Sequence, residues 1–189
     1  MNRLYILPWL LVLLLTGCAT IRGSITEEPI RPDPEGRTMG EVIDDKNIQT
    51  RLKLNLVKLD QRYSDANVDI QVNAGVVLIV GQVPTTELVT LATGLLKTDT
   101  QIKAIHNHLT AEPNISTGLK ANDKWLSVKT RSRMFTTDFF PSSNIELVVQ
   151  QGIVYLMGRV SEKTADQAVE IASEVNGVQK VVVVFQIIP

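Results

Sequence analysis

The sequence predicts an α+β protein built from two tandem copies of one small domain, each with the element order α-β-β-α-β. A short apolar strand bracketed by glycines occurs twice, at residues 75–81 and 152–158. The flanking residues recur with it, so that Asn67 in the first copy corresponds to Asn144 in the second. Within each copy the apolar period changes from helical to alternating and back. Such self-similarity indicates a duplicated domain.

In the first copy, residues 44–60 place apolar side chains four apart, which predicts a helix. Apolar and polar residues alternate over 68–72 and predict a half-buried strand, and the apolar run 76–80 predicts a more fully buried one. A second helix carries its leucines on one side over 88–96, and a strand at 102–111 closes the copy. We therefore assign residues 44–112 to the first domain.

The second copy follows a short connector at 113–121 and occupies residues 122–189. Its predicted elements are a helix at 122–136, strands at 144–150 and 153–160, a helix at 162–175 and a strand at 178–188. The crossover through the second helix of each copy should be right-handed. Each domain should then contain a small three-stranded mixed sheet with two helices on one face.

The first residues predict a lipoprotein signal peptide at 1–17. Arg3 precedes an apolar run at 4–15, which at about 1.5 Å per residue is too short to cross a hydrocarbon core of roughly 30 Å. The run ends in Leu15-Thr16-Gly17-Cys18, which resembles the bacterial lipobox, where the signal is cut before a cysteine that becomes acylated. The alternative is an ordinary secretory signal with a chance cysteine.

Lipidation of Cys18 explains a lone thiol in an exported protein, because Cys18 is the single cysteine of the chain. Ala19 follows it, and by resemblance to the lipoprotein sorting pattern this residue favours the outer membrane of a Gram-negative cell. Residues 18–43 lack apolar periodicity and contain several prolines and glycines. They are predicted to form a flexible tether between the acylated cysteine and the first domain.

Composition argues against nucleic-acid binding and against catalysis. The net charge is −1, and no Ser-His-Asp or paired-carboxylate arrangement stands out. His106 and His108 share one side of a predicted strand, but without a third ligand they are interpreted as solvated histidines. The pair Asp44-Asp45 is interpreted as complementing the dipole at a helix start. We expect no cofactor and no metal site.

The duplicated strands and the lipobox resemble a known family, the BON-domain proteins. The resemblance is clearest in four short segments of the second copy, namely Asn122-Asp123-Lys124-Trp125, Arg131-Ser132, Ser142-Ser143-Asn144 and Tyr155-Leu156-Met157-Gly158. It implies a non-enzymatic lipoprotein on the periplasmic face of the outer membrane that binds anionic phospholipid, such as phosphatidylglycerol or cardiolipin, and supports membrane integrity. It also implies that the first helix of the second domain binds the lipid through Trp125 and Phe135.

The residues of helix 122–136 support that choice independently. At about 100° per residue, Leu126, Thr130 and Met134 share the core side. The opposite face carries Trp125, Val128, Ser132 and Phe135, with Lys124, Lys129, Arg131 and Arg133 beside it. Apolar groups flanked by cations are typical of a helix that lies on an anionic membrane. The predicted lipid-contact residues are therefore Trp125, Val128, Lys129, Arg131, Ser132, Arg133 and Phe135.

Two other interpretations of this face stay open. It could pack against the first domain, whose corresponding residues Asn47, Thr50 and Val57 are less apolar. It could also dock a protein, such as outer-membrane assembly machinery or a cell-wall remodelling enzyme, in which case the chain would be an interaction scaffold. Residues 139–140, two phenylalanines, would either extend the apolar face or end the helix in the core.

Overall fold

The structure, a computed structural model, describes residues 34–189. The predicted signal peptide, Cys18 and the tether as far as residue 33 lie outside this part of the chain. Within the described residues, none of the helices is both long and apolar enough to cross a membrane.

Each half of the chain has the predicted α+β architecture. The first half contains α1 (Met39–Leu59), the one-turn helix α2 (Arg62–Asp65), β1 (Asn67–Asn73), β2 (Val76–Val83), α3 (Thr86–Lys97) and β3 (Ala104–Ala111). The second contains α4 (Thr117–Thr136), a 3₁₀ turn (Ser142–Asn144), β4 (Glu146–Gln150), β5 (Ile153–Ser161), α5 (Glu162–Ser173) and β6 (Lys180–Ile188).

The two three-stranded sheets have the same topology, with strand orders β1-β2-β3 and β4-β5-β6. The first two strands of each sheet are antiparallel, and the third pairs in parallel with the second after a helical crossover. Both helices of a domain pack on one face of its sheet, around separate cores that include Leu52 and Ile79 in one domain and Met134 and Leu156 in the other. The predicted fold class is confirmed.

Both first helices begin before their predicted positions. Thr38 caps α1 in a capping box, in which its Oγ1 accepts from the N–H of Glu41 at 3.2 Å and its own N–H donates to the Glu41 carboxylate at 2.9 Å. Ser116 caps α4 by accepting at its Oγ from the N–H of Leu119 at 3.3 Å, so α4 begins five residues before the predicted boundary at 122. The added turns are largely exposed, so apolar periodicity carries no signal there.

A buried aspartate of each first helix holds the hairpin turn of its own sheet. Asp45 accepts hydrogen bonds from the N–H of Ala74 at 2.8 Å and of Gly75 at 2.9 Å. Asp123 accepts from Gln151 and Gly152 at 2.8 and 2.9 Å. The interpretation of Asp45 as a dipole partner at a helix start is therefore wrong, because α1 starts six residues earlier and the carboxylate is committed to the turn.

The repeated glycine at the end of the second strand marks a close approach of two backbones. Gly81 has φ +126°, and a Cβ added there would lie 1.8 Å from the carbonyl oxygen of Asn67. At the equivalent Gly158 the added atom would lie 2.4 Å from the carbonyl oxygen of Asn144. Glycine is therefore required at both positions, because the second strand comes into close contact with the backbone at Asn67, the first residue of β1, and at Asn144, just before β4.

The two domains pack against each other through the sheet faces that their helices leave uncovered. A third apolar cluster lies between the sheets and joins β2 to β4, β5 and β6. Leu78 and Met157 are completely buried in it. The apolar runs of β2 and β5 thus have one face toward helices and the other toward the partner sheet, which explains why these strands do not alternate in polarity.

His108 contributes to this junction and is not a solvated histidine. Its ring lies 5.1 Å from the ring of Tyr155, centroid to centroid, at a tilt of 58°. Burial lowers the pKa of His108 below its usual range, and the nearby His106 and Lys180 lower it further. The sequence-based interpretation failed because the two sheets come together only in the folded chain. Within residues 34–189, no group of histidine, cysteine and carboxylate side chains could hold a metal ion.

The end of the predicted tether is part of the fold and connects the two domains. Arg37 donates to Asp45 of α1 at 3.0 Å and to Glu146 of β4 at 2.7 Å. Arg159 of β5 donates to Glu41 at 2.8 Å and also to the Gly36 carbonyl. Residues 35–43 therefore belong to the structured region. Their polar contacts join residues that are far apart in the sequence, and a local sequence pattern does not reveal such contacts.

Candidate functional site

The outward face of α4 is exposed and apolar. Trp125, Val128 and Phe135 are 62, 53 and 78% exposed. The core side of the same helix holds Leu126, Thr130 and Met134, all nearly completely buried. The helical-wheel assignment of the two faces therefore agrees with the structure. Because the domains meet through their sheets, the face does not pack against the first domain, and that alternative is excluded.

Two of the predicted cations contact the segment that follows α5. The Nζ atom of Lys129 donates to the carbonyl oxygen of Asn176 at 2.8 Å. The guanidinium of Arg133 pairs with Glu174 at 2.9 Å, and both side chains are more than half exposed. Glu174 is the acidic residue of this surface. Asp123 of the same helix is buried on the core side.

A glycine brings the segment after α5 against α4. Gly177 has φ +104°, and a Cβ added to it would lie 2.8 Å from Cδ2 of Leu126. The close approach leaves an open groove of about 440 Å³ beside the apolar face. It is lined by Trp125, Val128, Lys129, Ser132, Arg133 and Thr136 of α4 and by Glu174, Val175 and Asn176. The site is thus an apolar surface with a groove whose rim carries cations.

The remaining predicted cations lie on the other flank of the apolar face. Lys124 and Arg131 are exposed, and no ion pair within residues 34–189 involves either of them. At about 100° per residue they fall on the side of the wheel opposite to Lys129 and Arg133. Positive charge therefore borders the apolar face on both sides.

The first domain has an equivalent groove with different chemistry. It is lined by polar residues of α1 and of the segment after α3, namely Arg51, Asn55, Thr98, Asp99, Thr100 and Gln101, together with Leu52 and Leu95. Arg51 forms a salt bridge with Asp99 at 2.5 Å and donates to Gln101 at 2.7 Å. Its network lines a polar groove, whereas the apolar side chains of Trp125 and Val128 line the groove of the second domain. Only the second copy, among the described residues, presents an indole at this position.

The two phenylalanines after α4 lie in different environments. Phe139 has φ +58° and is fully exposed, whereas Phe140 is buried in the second core. The sequence left both interpretations open for the pair, and each applies to one residue. The left-handed backbone at Phe139 directs its ring into solvent beyond the end of α4.

Comparison with protein-family models identifies both halves of the chain. The model described as "BON domain" matches residues 44–113 and again 122–189. These ranges coincide with the two structural repeats, apart from the extra helical turns before Asp44 and Asn122.

Two characterised proteins are similar over most of the chain. One, named outer membrane lipoprotein DolP, from Haemophilus influenzae, is 32% identical over 174 residues, which cover 91% of this chain and 89% of that protein. Another, named 21 kDa hemolysin, from Actinobacillus pleuropneumoniae, is 28% identical and covers 79% of this chain and 77% of its own length.

Among solved structures, the C-terminal domain of CdsD, a structural protein of the type III secretion system of Chlamydia trachomatis, matches with 15% identity. The alignment covers 77% of this chain and 67% of the other, with a TM-score of 0.30. A likeness of this size carries no argument about function.

Proposed function

Because this chain belongs to the BON-domain family, with two BON domains in tandem, we propose that it is an outer-membrane lipoprotein that binds anionic phospholipid through the outward face of α4. The single observation that carries the proposal is the exposure of Trp125, Val128 and Phe135 on one helical face with cations on both sides. In this function the chain supports the integrity of the outer membrane and performs no chemistry.

The apolar residues have the sizes and positions that an interfacial helix requires. Trp125 lies near the middle of α4 and Phe135 near its end. An indole is favoured at the level of lipid headgroups, and a phenyl ring is favoured just below it. The exposed Phe139 extends the apolar surface past the helix end. These side chains would leave water on contact with a bilayer, and that transfer supplies the favourable free energy.

The cations select the charge of the lipid. Lys124 and Arg131 on one flank and Lys129 and Arg133 on the other can each approach a phosphate group when the helix lies flat. A basic residue near an anionic surface contributes about 1 kcal/mol, and this contribution falls off within a Debye length. Phosphatidylglycerol or cardiolipin would satisfy this requirement. Ser132 lies between the apolar residues and can donate a hydrogen bond to a headgroup oxygen.

The anchor is proposed to be acylated Cys18. The relative from Haemophilus influenzae is named an outer membrane lipoprotein, and the lipobox-like sequence before Cys18 agrees with that name. Anchoring at this position would place the two domains on the periplasmic face. A multiply acylated cysteine anchors a protein stably, so the acyl chains would hold the protein in the membrane. Lipid binding by α4 would determine its position along the membrane surface.

An NMR titration of the soluble chain from Ala19 onward tests the proposal. The start point keeps residues 35–37, whose contacts join the domains. Micelles containing phosphatidylglycerol should perturb the amides of α4 and of residues 174–177, and phosphatidylcholine micelles should do so weakly. Equal perturbation by both lipids, or perturbation spread evenly over α1 and α4, would contradict the proposal.

The scaffold alternative predicts a different result at the same position. A photo-crosslinker in place of Trp125 in cells should give lipid adducts if α4 lies on the membrane. Reproducible adducts with one envelope protein, in amounts that exceed those from a crosslinker at Leu54, would favour protein docking instead. Leu54 is a suitable comparison because it is an exposed apolar residue of the equivalent helix α1.

A further inference from the structure

The strand β6 forms one edge of the second sheet. It spans nine residues, Lys180–Ile188, and within residues 34–189 it pairs only with β5. After Lys180 it contains no charged residue and no proline. Proteins usually protect such edges with charges, prolines or covering side chains, because unpaired N–H and C=O groups can bind another strand.

The hydrogen bonds of the sheets show which residues of the edge strands face outward. In β3, the N–H of Glu112 donates to Val83 of β2 at 3.1 Å, so even-numbered residues point their backbone groups inward and odd-numbered residues point them outward. In both edge strands the odd-numbered side chains face the helices of their own domain, Ile105 and Leu109 in β3 and Val181 and Phe185 in β6, and both strands pair in parallel with the middle strand. The outward positions of β6 are therefore 181, 183, 185 and 187.

The corresponding edge in the first domain is blocked by one side chain. Asn107 of β3 accepts a hydrogen bond at its Oδ1 atom from the outward N–H of Leu109 at 2.9 Å. Its Nδ2 atom donates to the Val89 carbonyl at 3.2 Å and to Oγ1 of Thr93 at 2.7 Å. Asn107 thus occupies the outer edge and is held there by α3.

The second domain lacks this block. The residue equivalent to Asn107 is Val183, and the residue equivalent to Thr93 is Val169. No side chain within residues 34–189 hydrogen-bonds the outward N–H of Phe185, the counterpart of Leu109. Val183 and Ile187 are each 54% exposed. The second copy therefore presents an open, apolar edge where the first presents a closed, polar one.

The other edge strand of the first domain, β1, is also covered by side chains. The open edge at β6 therefore differs from both edges of the first sheet. In β1, the N–H of Asn67 donates to Asn114 at 2.9 Å, and the carbonyl of Ile70 accepts from Gln49. Arg37 reaches the carbonyl of Val72 at 3.4 Å. Side chains from three other segments thus satisfy backbone groups at these three residues of β1.

We propose that the outer edge of β6 is a docking site for an extended strand of a partner protein. The occupant is defined by its chemistry, because the edge offers backbone donors and acceptors at alternate residues and an apolar surface at Val183 and Ile187. It has apolar side chains at every second position and no proline at the paired positions. This site lies on a different element from α4, so it can act whether or not α4 binds lipid.

A synthetic probe tests the edge directly. The probe is an acetylated and amidated peptide of alternating valine and threonine, equal in length to β6. In the soluble chain from Ala19 onward, it should perturb the amides of Val183, Phe185 and Ile187 and slow their hydrogen exchange. The variant V169T/V183N transfers the block of the first domain, because it supplies equivalents of Thr93 and Asn107. We expect it to weaken peptide binding by at least about tenfold.

The matched control is N107V in β3, which opens the edge of the first domain and should leave binding at β6 unchanged. A peptide N-methylated on its pairing edge should not bind, whereas one methylated on the opposite edge should. The proposal is overturned if V169T/V183N, folded by its NMR spectrum, binds as well as the unaltered chain. It is also overturned if the amides of β6 broaden with protein concentration alone, since the occupant would then be a second copy of this chain.

Discussion

Arg133 and Glu174 form an exposed ion pair at 2.9 Å across the groove beside the apolar face of α4. The pair supplies the acidic residue of this surface and holds one of its cations away from any headgroup. Substituting E174Q should release Arg133 and remove a negative charge. Binding to phosphatidylglycerol vesicles should then tighten about two- to fivefold at low salt, consistent with about 1 kcal/mol for a charge near the surface.

Vesicle sedimentation at two salt concentrations checks this effect. The gain should shrink at high salt, because the Debye length falls to roughly 3 Å at 1 M. The matched control is E170Q, which removes an acidic residue of α5 that does not line the groove. An equal gain for both variants would show that net charge alone, and not the pair with Arg133, controls binding.

The hairpin contacts of Asp45 predict a large loss of stability on its removal. D45N removes a carboxylate that accepts from two backbone N–H groups and from Arg37, so the free energy of unfolding should fall by about 2–3 kcal/mol. The neighbouring Asp44 is exposed, and D44N should change the free energy of unfolding by less than about 0.5 kcal/mol. Urea unfolding measures both, and equal values would disprove the role of Asp45.

Much of the fold follows from the sequence because each copy encodes it with local patterns. Alternation at 68–72 and the four-residue period of α1 depend on which side chains face one core. The pairing of the two sheets does not follow in this way. β2 and β5 were recognisable as apolar on both faces, but the sequence did not specify what covers the second face. His108 was misassigned for that reason.

The site follows from the sequence in its apolar part and less well in its charged part. Trp125 and Phe135 could be assigned to the exposed face because their spacing within a single helix determines which face each residue occupies. Glu174 and Asn176 reach α4 from a separate segment, and only the turn at Gly177 brings them there. The glycine replaces Gln101 of the first copy, and this difference between the copies is the signal that would have located the contact.

Thr130 predicts a stabilising substitution. It is completely buried, and its hydroxyl has no hydrogen-bond partner within residues 34–189. T130V keeps the shape and removes an unpaired polar group, so the free energy of unfolding should rise by about 1 kcal/mol. Thermal and urea unfolding check the change. The exposed Thr50, whose hydroxyl donates to the Lys46 carbonyl at 2.9 Å, serves as the control, and T50V should give no such gain.

His108 makes the contact between the two domains sensitive to acid. Its pKa is lowered in the folded chain, chiefly by burial, so protonation favours the unfolded state. The stability that neutral His108 contributes should therefore be fully present above the ordinary histidine pKa of about 6.5. It should be lost as the pH falls through the lowered pKa of the folded chain. Unfolding followed between neutral pH and pH 5 should show this loss, and H108Q should reduce it. An unchanged pH dependence in H108Q would contradict the assignment.

Glu41 gives a second acid-sensitive contact at lower pH. The hydrogen bond from Arg159 and that from the Thr38 backbone lower the pKa of Glu41 to about 2. The stability that it contributes is present above the ordinary glutamate pKa and is lost as the pH falls toward 2. In E41Q this acid step should be smaller, while the loss due to His108 should persist. Chemical unfolding between pH 5 and pH 2 separates the two groups.

The most direct test of the central claim compares two exposed apolar residues at the two first helices. Trp125 and Leu54 are 62 and 57% exposed, so glutamate at either position should leave the fold intact. In the soluble chain from Ala19 onward, W125E should weaken binding to phosphatidylglycerol vesicles by at least about tenfold, and L54E should change it by less than about twofold. If W125E binds as well as the unaltered chain, or if L54E loses as much, α4 does not bind the lipid.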